Sequence, residues 1–374
     1  MNERELIAFF KDIHAHPELG GEEFRTTEKV VSLLHANGIE TLDTGLKTGA
    51  IAVFHGKKPG KIIGLRGDMD ALPVQEESGL PYASQIPGVM HACGHDFHTS
   101  TVLGAALLLK QREAELCGKI YVVFQPAEEI ADGGKSVVAT HLLDDAEEFY
   151  GVHTYPGYEV GTLGIKEGPV MAAPDRFAIT IRGVGAHAAQ PHKGVDPIPA
   201  AASLALTAQT IVSRTIDPFV PAVVSVTHLS AGNTWNVVPE TAFVEGTVRT
   251  LRPEDRKHIH ATLDRMAEAT AQAYGCTAEI EWEFGPDSVI NDAALCEVAR
   301  ALALEMGFKV GIQEDTMGGE DFSEYTKHCP GVFIRVGTGG SYANHHPKFT
   351  ADPAALWPAA NFCAELAIRR ARGE

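Results

Sequence analysis

The sequence predicts an α/β protein with an inserted α+β segment, and three observations carry that prediction. Short apolar runs bounded by turn residues alternate with stretches whose apolar side chains recur at helical spacing. From about Ala173 to Gly285 the elements instead follow the order β-α-β-β-α-β, the split ferredoxin-like unit. After Gly285 the helix and strand patterns of the first part return.

Taken in order, Glu3 to His14 and Glu22 to Asn37 read as helices, the second stopped by Gly38 in the manner of a glycine C-cap. Lys61 to Arg66 and Lys119 to Phe124 are apolar runs expected of strands in a sheet covered on both faces. Thr99 to Leu109 reads as a buried helix. In the middle segment come a strand at Arg176 to Arg182, a helix from about Pro197 to Ser213, and strands near Val223 to His228 and Ala242 to Thr250. A helix from about Pro253 to Tyr274 and a strand near Thr277 to Phe284 complete it. The last part gives a helix at Ala293 to Met306, a strand at Val332 to Val336 and a terminal helix at Pro353 to Arg372. There is no internal repeat and no low-complexity linker.

At 374 residues, 44% hydrophobic and 21% charged, the chain exceeds what one core normally fills, so two domains are expected. Its 31 Lys+Arg against 49 Asp+Glu give a net charge of −18, which argues against nucleic acid and anionic membrane partners and favours a small-molecule substrate. Six scattered cysteines without a CxxC pair read as reduced thiols. With no signal-like N-terminus and no apolar run near the roughly 20 residues of a membrane span, the expected location is cytoplasmic.

Four short segments carry residues that bind metals: His91-Ala-Cys93-Gly-His95-Asp96, Pro126-Ala-Glu128-Glu129, Gly151-Val-His153 and Asn344-His345-His346-Pro347. Cys93, His95, Glu129, His153 and His345 would make a nitrogen, oxygen and sulfur set suited to two neighbouring divalent ions, and so to a hydrolase. Each segment alone has a plainer reading: a buried structural thiol, a solvated acidic pair, a hydrogen-bonded core histidine. Placement at strand ends strengthens the metal reading, because ligand sites in α/β sheets gather there. Four of the donors precede the middle segment and one follows it. The expected organisation is therefore a discontinuous domain of 1–172 and 286–374 around an insertion of 173–285.

Further motifs run nearly end to end: His14-Ala-His16-Pro-Glu18-Leu, Arg66-Gly-Asp68-Met-Asp70-Ala-Leu-Pro73, Met90-His-Ala-Cys-Gly-His-Asp96, Gln125-Pro-Ala-Glu-Glu129, Gly185-Ala-His187-Ala-Ala-Gln-Pro-His192, Asn236-Val-Val-Pro239 and Met317-Gly-Gly-Glu-Asp-Phe322. In this order they resemble the aminoacylase/carboxypeptidase family of dimetal amidohydrolases, in the branch of hippurate hydrolases, auxin-conjugate hydrolases and N-acyl-amino-acid amidohydrolases. The resemblance implies a zinc-peptidase-like catalytic domain, a mixed sheet flanked by helices, with an inserted ferredoxin-like lid and dimerisation domain.

By the same resemblance Cys93 bridges two ions, where other branches use aspartate, Glu129 is a ligand and Glu128 is the general base. Asp70 orients a ligand, while Asp68 stands where the wider family has a histidine ligand. Alignment on Pro347 and Phe349 selects His345 over His346. His187 hydrogen-bonds the oxyanion, often across a homodimer, and Asn236 assists it. His91, Asp96 and His98 surround the Cys93 loop and are expected behind the ligands, His98 as a residue of the helix first turn and not a third imidazole ligand. His14 and His16 are expected to do structural work around Pro17, and His192 and Arg249 are read as ordinary surface or strand residues, with a substrate carboxylate as the alternative contact for Arg249. The implied cofactors are two divalent metal ions, zinc or manganese first, cobalt or nickel next. The implied substrate is an N-acyl amino acid, hydrolysed to a carboxylic acid and an amino acid. A metal-dependent dipeptidase or carboxypeptidase, a hydrolase using Cys93 as nucleophile, and a non-catalytic amino-acid-binding protein are the alternatives.

Overall fold

The computed structural model describes residues 2–312 and 314–374. The chain divides into two compact units, one of Met1–Val170, Ile290–Glu314 and Asp321–Glu374, the other of Met171–Val289 and Asp315–Glu320. The first unit opens with α1 (Glu3–His14) and α2 (Phe24–Ala36). A capping box starts α1: the Asn2 side chain accepts from Glu5 N–H at 3.1 Å and the Glu5 carboxylate accepts from Asn2 N–H at 2.8 Å. Helix α2 begins two residues later than its apolar spacing suggests. Glu18, from the preceding turn, accepts the Arg25 and Thr26 N–H groups at 2.8 Å each, and so caps a helix that begins at Phe24. Gly38 follows its end at φ +66°.

Strands β1 (Glu40–Thr41), β2 (Ala50–His55) and β3 (Lys58–Asp68), helix α3 (His95–Gln111), strand β4 (Cys117–Gln125), helix α4 (Gly133–Val138) and strands β5 (Glu148–Tyr155) and β6 (Thr162–Gly164) come next. Strand β7 (Gly168–Met171) leads to the second unit: β8 (Ala173–Arg182), β9 (Ala186–His187), α5 (Pro197–Ala208), α6 (Thr210–Thr215), β10 (Ala222–Ala231), β11 (Val237–Val238), β12 (Thr241–Thr250), α7 (Pro253–Ala273) and β13 (Thr277–Phe284). After β14 (Val289–Asn291) come α8 (Ala293–Glu305), β15 (Lys309–Gly311), α9 (Ser323–Thr326), β16 (Gly331–Gly337) and α10 (Leu356–Arg372).

The first unit holds a mixed eight-stranded sheet in the order β1-β2-β4-β3-β5-β16-β6-β15. Its central strands β4, β3, β5 and β16 run parallel, so their carboxyl ends share one edge. Both faces are covered, which is why these strands read as unbroken apolar runs and not as alternating ones. Helices α3 and α10 pack on β3 and β4, and α1, α2 and α8 complete the same core. Phe149 and Phe333 lie outside that core, where they meet the rings of Tyr325 and Phe322. Gly67 is required by this packing: a Cβ there would sit 2.7 Å from the His98 carbonyl oxygen in the first turn of α3.

Helix α3 extends four residues further toward the N-terminus than its apolar run suggests. Gly94 at φ +85° turns the chain into it, so His95 enters the helix itself.

The second unit is a four-stranded antiparallel sheet in the order β10-β12-β8-β13, backed by α5 and α7 through Ala200, Leu204, Ile259 and Leu263. The single helix expected over Pro197 to Ser213 is two helices, separated at Gln209. Thr207 Oγ1 donates to Ser203 O at 2.9 Å and Thr210 Oγ1 to Thr207 O at 2.7 Å, competing with the helical ladder where it breaks. No helix among the described residues is long and apolar enough to cross a membrane.

Candidate metal centre

At the shared carboxyl edge, chain segments distant in sequence deliver their polar ends to one place. Cys93 and His95 come from the turn into α3, Glu128 and Glu129 follow β4, His153 lies near the end of β5, and His345 follows β16. The Cys93 sulfur is 3.4 Å from His153 Nε2 and 3.3 Å from His345 Nε2. Glu129 Oε1 is 3.5 Å from His345 Nε2 and 3.8 Å from His95 Nε2, and Glu128 Oε2 is 3.9 Å from His95 Nε2. Among the groups whose donor atoms lie within 4.8 Å of one another are two triads built on the sulfur, Cys93 with His95 and His153, and Cys93 with Glu129 and His345. The same sulfur belongs to both.

The chemistry of these residues fits divalent cations. His95 Nε2 and Glu129 Oε1 are buried and find no hydrogen-bond partner among the described residues, an arrangement that leaves strong donors uncompensated unless a ligand meets them. Burial pushes the Glu129 carboxyl up, and burial with the Glu129 charge pushes the Cys93 thiol well above its ordinary range. A cation offsets both effects by favouring the deprotonated ligands. His153 Nδ1–H donates to the Thr154 carbonyl at 2.8 Å, which turns Nε2 toward the sulfur.

The backbone at the centre is unusual. Ala127, Ala131 and His345 have φ of +56°, +53° and +68°, a region that costs a non-glycine residue roughly 1 kcal/mol or more. These strained positions bracket the Glu128–Glu129 pair and set His345. His345 N–H donates to the Ala92 carbonyl at 2.8 Å, and Asn344 Nδ2 donates to the Cys93 carbonyl at 3.0 Å and to Thr154 Oγ1 at 3.1 Å. His346 turns elsewhere, its ring stacked on Tyr342.

Behind the donors lies a buried polar layer. Asp70 Oδ1 accepts from His95 Nδ1–H at 3.0 Å and its Oδ2 accepts Glu129 N–H at 2.9 Å. Asp68 does not meet the sulfur. It accepts from His98 Nδ1–H at 2.5 Å, while His98 Nε2 accepts Thr154 N–H at 2.7 Å, a pattern that fixes a neutral tautomer. Arg66, fully buried, donates to Asp68 Oδ2 at 2.6 Å, Gln125 Oε1 at 2.8 Å and Asp321 Oδ1 at 2.8 Å. Asp321 also accepts from Gln125 Nε2 and from Gly134 N–H, so the end of the Met317-to-Phe322 motif ties two strand ends to α4. Replacing Arg66 by methionine strands two buried carboxylates and is expected to lower the unfolding free energy of the metal-free protein by about 3–5 kcal/mol, read by urea denaturation. An unchanged midpoint and slope would show the network to be energetically idle.

The motif histidines take supporting places. His14 Nδ1 and Nε2 meet Asp96 at 2.6 Å and Glu76 at 3.2 Å. Burial opposes charge on His14, but these two carboxylates outweigh it and raise its pKa to about 10. The pair therefore clamps the first turn of α3 to α1 as an imidazolium–carboxylate contact. His16 bonds the Asp12 carbonyl at 2.7 Å. Burial pushes His91 down to about 4, and among the described residues neither of its ring nitrogens has a hydrogen-bond partner.

In the second unit, β9 and β11 pair with His187 opposite Val237, and Ala188 N–H donates to the Asn236 carbonyl at 3.0 Å, so an exposed His187 and a half-buried Asn236 are neighbours on one ribbon. His192 lies in an exposed turn beyond it. Arg249 donates to Thr247 Oγ1 at 3.0 Å and to the Met317 carbonyl at 3.4 Å, both within that unit. Sequence reasoning gave no part to Glu18, Glu23, Thr154 or Asn344, whose contacts at the site are made largely with backbone groups.

Residues 64–369 match the peptidase family M20/M25/M40, and the chain belongs to that family. It is 45% identical over 364 residues to the N-acetylcysteine deacetylase of Bacillus subtilis (strain 168), covering 97% of this chain and 96% of that protein. It is 40% identical over 288 residues to the N-acyl-L-amino acid amidohydrolase of Geobacillus stearothermophilus, covering 77% and 78% of the two chains. The crystal structure of the Bacillus subtilis YXEP protein, a dinuclear metal-binding peptidase of the M20 family, superposes with a TM-score of 0.90 at 42% identity, over 99% of this chain and 98% of that one.

Proposed function

We propose that this chain is a metal-dependent amidohydrolase that cleaves the amide bond of N-acyl amino acids, releasing a carboxylic acid and a free amino acid. The observation that carries the reading is one sulfur, Cys93 Sγ, common to two triads of metal-binding side chains. Relatives of this similarity named as an N-acetylcysteine deacetylase and an N-acyl-L-amino acid amidohydrolase, together with a dinuclear neighbour, support it.

Cys93, His95, Glu129, His153 and His345 would hold two divalent cations, zinc or manganese. When bound, such a pair supplies Lewis acidity toward the scissile carbonyl and the attacking water. Glu128 takes a proton from that water and returns it to the leaving nitrogen, which departs as the free amine. Asp70 holds the His95 ring from behind, keeping Nε2 aimed at the donor cluster. His187 and Asn236 donate to the oxyanion as it forms, and residues 173–285 act as a lid and as the contact between two copies of the chain. A reducing compartment such as the cytoplasm suits a centre built on a free Cys93 thiol. The reading in which Cys93 is the nucleophile is disfavoured by the same burial and carboxylate that raise its pKa, the opposite of what an activated thiol needs.

The test is a panel of N-acetyl and N-benzoyl amino acids, N-acetyl-L-cysteine included, with dipeptides alongside, offered to protein reloaded separately with zinc and manganese. Release of free amino acid that stops on chelation is the expected result. No release from any member while the protein holds two ions per chain would overturn the proposal, and preference for dipeptides would transfer it to a dipeptidase.

A further inference from the structure

Two carboxylates that belong to neither triad grip the main chain on either side of Glu128. Asp70 accepts the N–H of Glu129 at 2.9 Å, and Glu23 accepts the N–H of Ala127 at 2.8 Å. Glu23 is fully buried and both of its oxygens are engaged: Oε1 also accepts Gly21 N–H at 3.0 Å, and Oε2 accepts the Thr48 hydroxyl at 2.7 Å. It stands at the N-cap of α2 but makes no capping bond with its own side chain, because Glu18 accepts the first-turn N–H groups there. The Glu23 carboxylate is thus directed away from its own helix, at the left-handed Ala127. The turn before it presses on the same place: a Cβ on Gly20 would lie 3.1 Å from Asp70 Oδ2 and 3.3 Å from Ala127 Cα.

We propose that Glu23 is a positioning residue for Glu128, holding Ala127 in its left-handed conformation so that the carboxylate of Glu128 is fixed relative to the donors. The inference rests on the reading of Glu128 as the base. Glutamine at position 23 preserves the geometry, since its carbonyl oxygen can accept both N–H groups and its amide can donate to Thr48 Oγ1. Alanine abolishes it.

Three variants test the proposal in the metal-loaded protein with the best substrate of the panel above. Glu23→Ala is expected to lower kcat by about tenfold to a hundredfold, the effect of a small misplacement, with KM and the two bound ions little changed. Glu23→Gln is expected to stay within about threefold of the parent, and Thr48→Val, which frees the carboxylate to rotate, to fall between. Hydrogen exchange of the peptide spanning 124–132, read in metal-free protein as well, should speed up by roughly tenfold or more in Glu23→Ala and stay protected in Glu23→Gln.

A normal kcat in Glu23→Ala, a glutamine variant as slow as the alanine one, or a loss of rate that only follows lost metal or lost thermal stability would each overturn the proposal. Should the alanine variant fail to fold, unchanged kcat and exchange in Thr48→Val would overturn it instead. A Glu128→Gln variant that kept its rate would sink the assignment of the base, whatever the exchange data said. An inactive Glu128→Gln beside a fully active Glu23→Ala would sink the positioning role alone.

Discussion

Glu128→Gln lowers kcat by about 10²- to 10⁴-fold while two ions stay bound and KM changes little; this is the outcome expected if Glu128 moves the proton. Glutamine keeps the size and hydrogen-bonding shape of the side chain but cannot take a proton from water. Glu129, the neighbouring carboxylate, cannot substitute for it. Its main-chain N–H is held by Asp70, and its Oε1 faces His345 and His95 at 3.5 and 3.8 Å. Metal content by elemental analysis, measured beside steady-state kinetics, separates loss of the base from loss of the centre. A variant with both ions and near-normal turnover would end the assignment.

Stripping the ions is expected to abolish turnover and to lower thermal stability, both restored by zinc or manganese. The stability lost follows mass action, about 2.7 kcal/mol where the free ion stood at a hundred times its dissociation constant. Its pH dependence has a definite sign. The Cys93 thiol and Glu129 carboxyl are both raised when no cation is present, and both must lose their protons to bind one, so apparent affinity strengthens as pH rises. Cys93→Ala removes the atom common to both triads and is expected to reduce binding to fewer than two ions per chain. Cys93→Asp, which offers an anionic oxygen, should recover part of it. Competition against a chelator of known affinity measures these losses, and a Cys93→Ala protein that still took up two ions at unchanged affinity would refute the shared role.

How much of this is legible in the sequence depends on how local the cause is. Strands such as Lys119 to Phe124 announce themselves because both faces are buried, and the middle β-α-β-β-α-β order follows from period and turn residues. Donor types are legible for a similar reason: Cys93-Gly-His95 and Glu128-Glu129 carry their chemistry in the side chain. The start of α3 is harder to read, because a left-handed Gly94 and not a polar capping side chain sets it. Glu23 reads as an ordinary acidic residue and Glu18 only as a member of a motif without a role of its own, since their work is to accept backbone N–H groups, which carry no sequence signature. Arg66 is visible as a charge at a strand end, but its pairing with Asp321 spans 255 positions and depends on the sheet order.

The distance in sequence between Cys93 and His345, 252 positions, bears on how the protein is made. With His345 among the ligands, a polypeptide still emerging from the ribosome has four of the five but cannot close the cage until the β16 strand has been synthesised and has docked beside β5. On that ligand set, fragments cut short before that strand are expected to keep most of the sequence motifs and to lack metal-dependent turnover.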